Sequence, residues 1–186
     1  ESNKDSAATA PNPATPTVSR DGGALWRLRF KDVSSPAKGA TLEMLLDGSE
    51  APYLSKPDNL TVDTSGNILI QEDPGNNALV SRIVAYNIKS QKVGVVAKFK
   101  NQYFENGATQ FMTQDEESSG IIDVTDLLRK NNKDTASYYM YVAQIHTTPV
   151  KARPDLDPTA SWLPLAVEGG QWYVMKVADW RSIYTY

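Results

Sequence analysis

The sequence of 186 residues contains no cysteine and a single histidine, His146. Without cysteine the chain has no disulfide, no thiolate metal site and no cysteine nucleophile. One histidine cannot supply a zinc site built from several imidazoles. The sequence also contains no Walker loop, Rossmann glycine pattern, GxSxG elbow or HExxH motif, so the common signatures of nucleotide-binding proteins, serine hydrolases and metalloproteases are absent.

The chain also lacks a strong charge of either sign and a long apolar run. Its formal net charge is -3, and no segment rich in Lys and Arg predicts binding to nucleic acid or to an anionic membrane. No apolar segment approaches the roughly 20 residues of a transmembrane helix. The first residue is Glu rather than Met. We therefore expect a mature product or a piece of a longer protein, with no nucleic-acid partner and no membrane span.

The composition divides the chain into two parts. Residues 1–21 are rich in Ala, Pro, Thr, Ser and Asn without apolar periodicity, which predicts a flexible loop or tail. Residues 22–186 contain short strand-like segments separated by turn residues. Such segments at intervals of about ten residues are typical of an all-β domain. The repeated hairpins predict a β-propeller with blades of four strands, and a sandwich or barrel is the structural alternative.

A predicted hairpin over residues 56–73 ends in an acidic pair. Two strand-like segments flank a turn at residues 64–67, and the second segment ends in Glu72 and Asp73. Carboxylate oxygens at the rim of a sheet suit calcium or magnesium better than zinc or copper. The alternative interpretation is that the two acids only solvate a turn.

Residues 115–117 (Asp-Glu-Glu) form a second acidic cluster, which residues 118–120 (Ser-Ser-Gly) follow directly. Small residues after the acids would let backbone carbonyls approach a cation. A run of three carboxylates is also typical of a solvated surface. Further along, a predicted strand ends near His146, which is either a functional side chain or a hydrogen-bonded structural one.

Four segments, in this order, together resemble the C-terminal part of the PhoX-type alkaline phosphatase family: PDNLTVDTSGNILIQED, DEESSGIIDV, YVAQIH and VEGGQWYVM. The resemblance covers roughly residues 22–177. It implies a calcium-dependent β-propeller, periplasmic or secreted, in which carboxylates bind metal ions at one mouth of the propeller. In the characterised phosphatases calcium and iron act together on phosphomonoesters.

The resemblance also implies site residues. Carried over residue by residue, it places the metal ligands at Glu72, Asp73, Glu116 and Glu117. The same interpretation gives a supporting role, toward the ligands or the substrate, to Asp58, Gln71, Gln144 and His146. Asp58, Asp63 and Asp115 are second choices as ligands. The cysteine associated with iron in the phosphatases has no counterpart in this chain, and no catalytic residue is assigned.

Members of that family are much longer than this chain, which would supply roughly half of a propeller. Half a ring leaves open sheet edges and an exposed apolar flank, so we expect an N-terminal fragment of the same protein to complete it. The predicted function is calcium-dependent hydrolysis of a phosphate ester. Two alternatives stay open. One is a secreted calcium-binding propeller that acts as a scaffold or assembly module, and the other is a propeller hydrolase of another ester, such as a lactone or phytate.

Overall fold

The structure is a computed structural model that describes residues 22–48, 50–75, 79–147, 157–163 and 169–184. The strands are β1 (Ala24–Phe30), β2 (Ala40–Asp47), β3 (Pro57–Val62), β4 (Asn67–Glu72), β5 (Arg82–Asn87), β6 (Val93–Lys98), β7 (Glu116–Asp123), β8 (Ser137–Ile145) and β9 (Gly169–Val177). Two short helices are α1 (Asn101–Phe104) and α2 (Thr125–Leu128). The predicted tail, residues 1–21, lies outside the described residues.

The strands pair antiparallel and form three sheets. The first sheet is the hairpin β1-β2, the central sheet is the meander β3-β4-β5-β6, and the third sheet is the meander β7-β8-β9. The all-β prediction is therefore confirmed. The described strands do not close into a barrel or a propeller, although the central sheet has the four strands that we expected in one blade.

Strand β4 lies in the middle of the fold and is buried along its whole length. Successive side chains of a strand point to opposite faces, so an uninterrupted apolar run is typical of a strand that is covered on both sides. Ile68 and Ile70 pack with Leu25 and Leu46 of the first sheet. Leu69 belongs to a second core, which lies between the central and third sheets. The central sheet is thus the middle layer of three.

Polar side chains also join the central sheet to the third sheet. Asp63, in the β3-β4 turn, accepts a hydrogen bond from the backbone N–H of Asn67 (2.8 Å) and one from the hydroxyl of Tyr139 in β8 (2.8 Å). The buried Gln71 accepts one from the backbone N–H of Ile121 in β7 (3.0 Å). These bonds fix the position of β4 relative to β7 and β8, and they bring the acidic ends of β4 and β7 to the same side of the molecule.

Both outer faces of this three-layer stack are apolar and exposed. The outer face of the first sheet carries Trp26, Leu28, Phe30, Leu42 and Met44. The outer face of the third sheet carries Ile122, Trp172 and Val174. In the first sheet Trp26 lies opposite Met44, and Leu28 lies opposite Leu42. Large exposed apolar faces of this kind mark interaction surfaces.

In the part of the chain that the structure describes, no helix has the length and the apolar character that crossing a membrane requires.

Candidate cation site

Three carboxylates lie together at one rim of the stack, near the start of β3, the end of β4 and the start of β7. One oxygen from each of Asp58, Asp73 and Glu117 lies within 4.8 Å of the other two. Asp58 is exposed to solvent, whereas Asp73 and Glu117 are partly buried. We call these three residues the carboxylate trio. One cation could contact an oxygen from each of them.

Strand pairing and loop contacts bring the trio together. In the central sheet Pro57 of β3 lies opposite Glu72 of β4, and the register shifts between Pro57 and Leu60, so Asp58 lies in an irregular part of the pairing close to the end of β4. The backbone N–H of Asp73 donates to the carbonyl of Lys56 (3.0 Å) and holds the two chain segments together. On the β7 side, the amide of Asn59 donates to the hydroxyl of Ser119 (3.4 Å). The third sheet therefore presents Glu117 to the other two acids.

The carboxylates of the trio repel one another. Burial raises the pKa of Glu117 to about 7, and the negative charge of Asp73 adds to that rise. The imidazole of His146, whose Nε2 lies 3.6 Å from Oε1 of Glu117, acts in the opposite direction. At neutral pH Glu117 is thus partly protonated without a cation, and a cation would replace that proton.

The backbone of Gly75 lies beside Asp73 of the trio. Its backbone has φ +43, and a Cβ there would lie 3.4 Å from Oδ1 of Asp73, 3.5 Å from Nζ of Lys56 and 3.7 Å from Oδ1 of Asp115. The carbonyl of Gly75 accepts a hydrogen bond from Nζ of Lys56 (3.3 Å). A carbonyl, a fourth carboxylate and an ammonium group therefore border the site. Neither Lys56 nor Gly75 lies in a sequence pattern that predicts its position beside the site.

Glu72, predicted as a ligand, points away from the trio. Its side chain is fully buried and pairs with the guanidinium of Arg82, with Nη2 2.5 Å from Oε1 and Nε 2.8 Å from Oε2. The backbone N–H of Ser55 donates to the same carboxylate (2.9 Å), and Arg82 also donates to the carbonyl of Tyr53. Because these donors already satisfy both oxygens, we leave Glu72 out of the proposed ligand set.

Glu116 is also turned inward, because neighbouring residues of β7 point to opposite faces. Its side chain is 1% exposed, and its Oε1 accepts a hydrogen bond from the backbone N–H of Ser81 (2.9 Å). Its Oε2 has no hydrogen-bond partner among the described residues. Burial raises the pKa of Glu116 to about 7. This carboxylate lies between the sheets, so we leave it out of the ligand set too.

The four residues predicted to support the ligands have different positions. Asp58 is itself a member of the trio. His146 lies beside Glu117, and Gln144 lies opposite Glu117 in the pairing of β7 with β8. Gln71 is buried between the sheets, away from the trio, and its amide nitrogen has no hydrogen-bond partner among the described residues. The structure therefore groups Asp58, Gln144 and His146 around Glu117 and separates Gln71 from them.

No protein-family model, curated protein or solved structure matches this chain. The resemblance to the PhoX-type phosphatases stays a prediction that rests on its four sequence segments.

Proposed function

We propose that this chain binds a divalent cation, calcium, through Asp58, Asp73 and Glu117. The observation that carries the proposal is the convergence of three carboxylate oxygens, from three separate segments, within 4.8 Å. Three such groups cannot all stay ionised at that distance unless a cation or a proton neutralises them. A set of oxygen ligands without sulfur favours calcium or magnesium over zinc and copper.

The surroundings of the trio favour calcium over magnesium. Calcium accepts six to eight oxygen ligands in flexible geometry, including carbonyls and water, whereas magnesium demands a near-ideal octahedron. The trio consists of one exposed acid and two partly buried acids, and the Gly75 carbonyl, which accepts a hydrogen bond from Lys56, lies nearby. Together these oxygens form an irregular and half-open set. A cation bound there would hold the central and third sheets together at this rim.

Calcium binding is tested by thermal unfolding of chelator-treated protein at increasing calcium concentration. A ligand that binds only the folded state stabilises it by about 2.7 kcal/mol at a concentration of 100 times its Kd. We therefore expect Tm to rise with calcium concentration, by a smaller amount for each further equal addition of calcium. Magnesium at the same concentration should raise Tm less. A Tm that is independent of calcium, together with no calcium retained on equilibrium dialysis, would refute the proposal.

On the strength of the sequence resemblance, we further propose that the cation serves the hydrolysis of phosphomonoesters. Lys56, whose ammonium group borders the site beside Gly75, would add positive charge for a phosphate oxygen. A divalent cation held by the trio would neutralise further phosphate charge. The assay is hydrolysis of a chromogenic phosphomonoester before chelation, after chelation and after calcium is restored. Calcium binding without turnover would favour the scaffold alternative.

We also propose that the three sheets form part of a β-propeller, completed by an N-terminal fragment of the same protein. The support is physical. The blades of a propeller stack face to face, and this stack exposes an apolar face at each end, with Trp26 53% exposed on one and Trp172 68% exposed on the other. Intact-mass analysis of protein purified from its source should find the second fragment bound. A folded, monomeric chain without a partner would contradict this arrangement.

A further inference from the structure

A cavity of about 520 Å³ lies between the central and third sheets, within the size range of small-molecule sites. The ends of β5 and β6, helix α1, and parts of β7, β8 and β9 contribute to its walls. Ser118 lines it from β7, whereas Glu117 points to the other face of that strand. The cavity is thus separate from the carboxylate trio and does not depend on the proposed function.

Two aromatic pairs border this cavity. The rings of Tyr141 and Tyr173 stack with centroids 5.5 Å apart and an angle of 21° between their planes. The rings of Phe99 and Phe104 meet edge to face at 5.2 Å. Four rings that are already packed in pairs offer rigid apolar surface, on which a flat ring system can stack at little cost in conformational entropy.

The charges that line the cavity are all positive. Arg82, Lys98 and Lys100 belong to its lining, and no Asp or Glu is found among its described lining residues. Arg82 is already paired with Glu72, so the two lysines supply the charge available to a ligand. Positive charge at the rim of an apolar cavity attracts an anion rather than a neutral molecule.

An independent observation at the cavity points to a polar group on the ligand. Ser118 lines the cavity and is 2% exposed, and its buried hydroxyl has no hydrogen-bond partner among the described residues. A buried hydroxyl without a partner is unfavourable. A ligand that carried a polar atom to Ser118 would satisfy it.

We propose that this cavity binds a small aromatic carboxylate with a second polar group. The ring system lies against Tyr141 and Tyr173, the carboxylate contacts Lys98 and Lys100, and the second polar group forms a hydrogen bond with Ser118. Each part of the ligand thus meets a lining feature that is otherwise exposed or unsatisfied.

The test is calorimetric titration of the chain with 6-hydroxy-2-naphthoate, with 6-hydroxy-2-naphthamide as the neutral analogue of the same shape. We expect one molecule bound per chain, and affinity for the amide about tenfold lower, because it lacks the charge-assisted contact with the lysines. The double variant Lys98→Met/Lys100→Met should lose about the same factor. The matched control Lys89→Met/Lys92→Met, which removes two charges from the β5-β6 turn, should bind normally.

Two further variants locate the ligand. Ala143→Phe places a ring inside the cavity, which Ala143 lines, and should abolish binding. Ser118→Ala should weaken binding of the hydroxynaphthoate while leaving the affinity for 2-naphthoate, which lacks the hydroxyl, unchanged. The proposal is overturned by no binding, by equal affinity for acid and amide, or by full affinity in the double lysine variant. The last result would place the ligand on the exposed apolar faces. The lysine variants alter exposed side chains, so they give an answer even if Ala143→Phe does not fold.

Discussion

The Nε2 atom of His146 lies 3.6 Å from Oε1 of Glu117, where the start of β7 and the end of β8 meet. The only imidazole of the chain therefore lies beside Glu117, a partly buried member of the carboxylate trio. It partly offsets the effect of Asp73, whose charge contributes to the raised pKa of Glu117. If the trio binds a cation as proposed, the balance between these two neighbours would make its affinity depend on pH near neutrality.

Calcium affinity should rise by about tenfold between pH 6 and pH 8. With its pKa at about 7, Glu117 must lose a proton when a cation binds below that pH, and one displaced proton changes the apparent affinity by at most tenfold per pH unit. Calorimetric titrations at the two pH values measure the effect. In Glu117→Gln the weaker remaining affinity should vary much less with pH. Equal affinity of the unmodified chain at pH 6 and pH 8 would contradict this role of Glu117.

Glu72→Gln should destabilise the fold by about 3 kcal/mol, because it leaves the guanidinium of Arg82 without its buried partner. Urea unfolding measures the loss. The matched control is Glu43→Gln, which breaks the exposed ion pair with Arg27 (2.6 Å) and should change stability much less. Calcium affinity should persist in the folded fraction of Glu72→Gln. If stability is unchanged and calcium binding is lost, Glu72 is a ligand and our assignment is wrong.

Glu116→Gln should stabilise the chelator-treated protein more at pH 8 than at pH 5. The pKa of Glu116 is raised in the folded state from 4.5 to about 7. The folded state therefore holds a proton that the unfolded state releases, and stability falls as pH rises from 4.5 through 7. Glutamine mimics the protonated acid and removes this loss, which amounts to at most about 3 kcal/mol. Urea unfolding at both pH values checks it, and an identical difference at pH 5 and pH 8 would rule it out.

Tyr139→Phe should cost about 1.5–3 kcal/mol, because it removes a buried hydrogen bond to the carboxylate of Asp63 that joins the central and third sheets. The control is Tyr138→Phe, since the Tyr138 hydroxyl donates over the same 2.8 Å to Asp134 but at a more exposed position. Thermal unfolding of the two variants should show the larger loss for Tyr139→Phe. Equal losses would mean that the bond between the sheets adds nothing beyond a surface contact.

Local patterns predict much of this fold. The alternation in β1, the continuous apolar run of β4 and the turn residues between them predict hairpins and an all-β chain, because strand period and turn chemistry are encoded in neighbouring residues. The order in which the sheets stack is not encoded locally. It depends on which faces bury one another, and residues far apart in the sequence, such as Leu25 and Tyr86, decide this.

Local sequence patterns predict the candidate site only in part. The acidic pairs at the end of β4 and the start of β7 indicate where carboxylates gather. In each pair, however, the two side chains point to opposite faces. Asp73 and Glu117 join the trio, while Glu72 and Glu116 turn into the interior. The period of two predicts such a division, yet it does not say which member faces the rim. The approach of Asp58 to Glu117 depends on contact between β3 and β7, which no local pattern specifies.

Calorimetric titration of calcium into chelator-treated protein and into three variants measures whether the trio binds calcium. Asp73→Asn and Glu117→Gln each remove one carboxylate of the trio, and Asp126→Asn removes an exposed carboxylate of α2 as the control. We predict one calcium ion per chain, affinity lower by at least about tenfold in the two trio variants, and no change in the control. No calcium binding, or trio variants that bind calcium as tightly as the control, would show that the trio is not a calcium site.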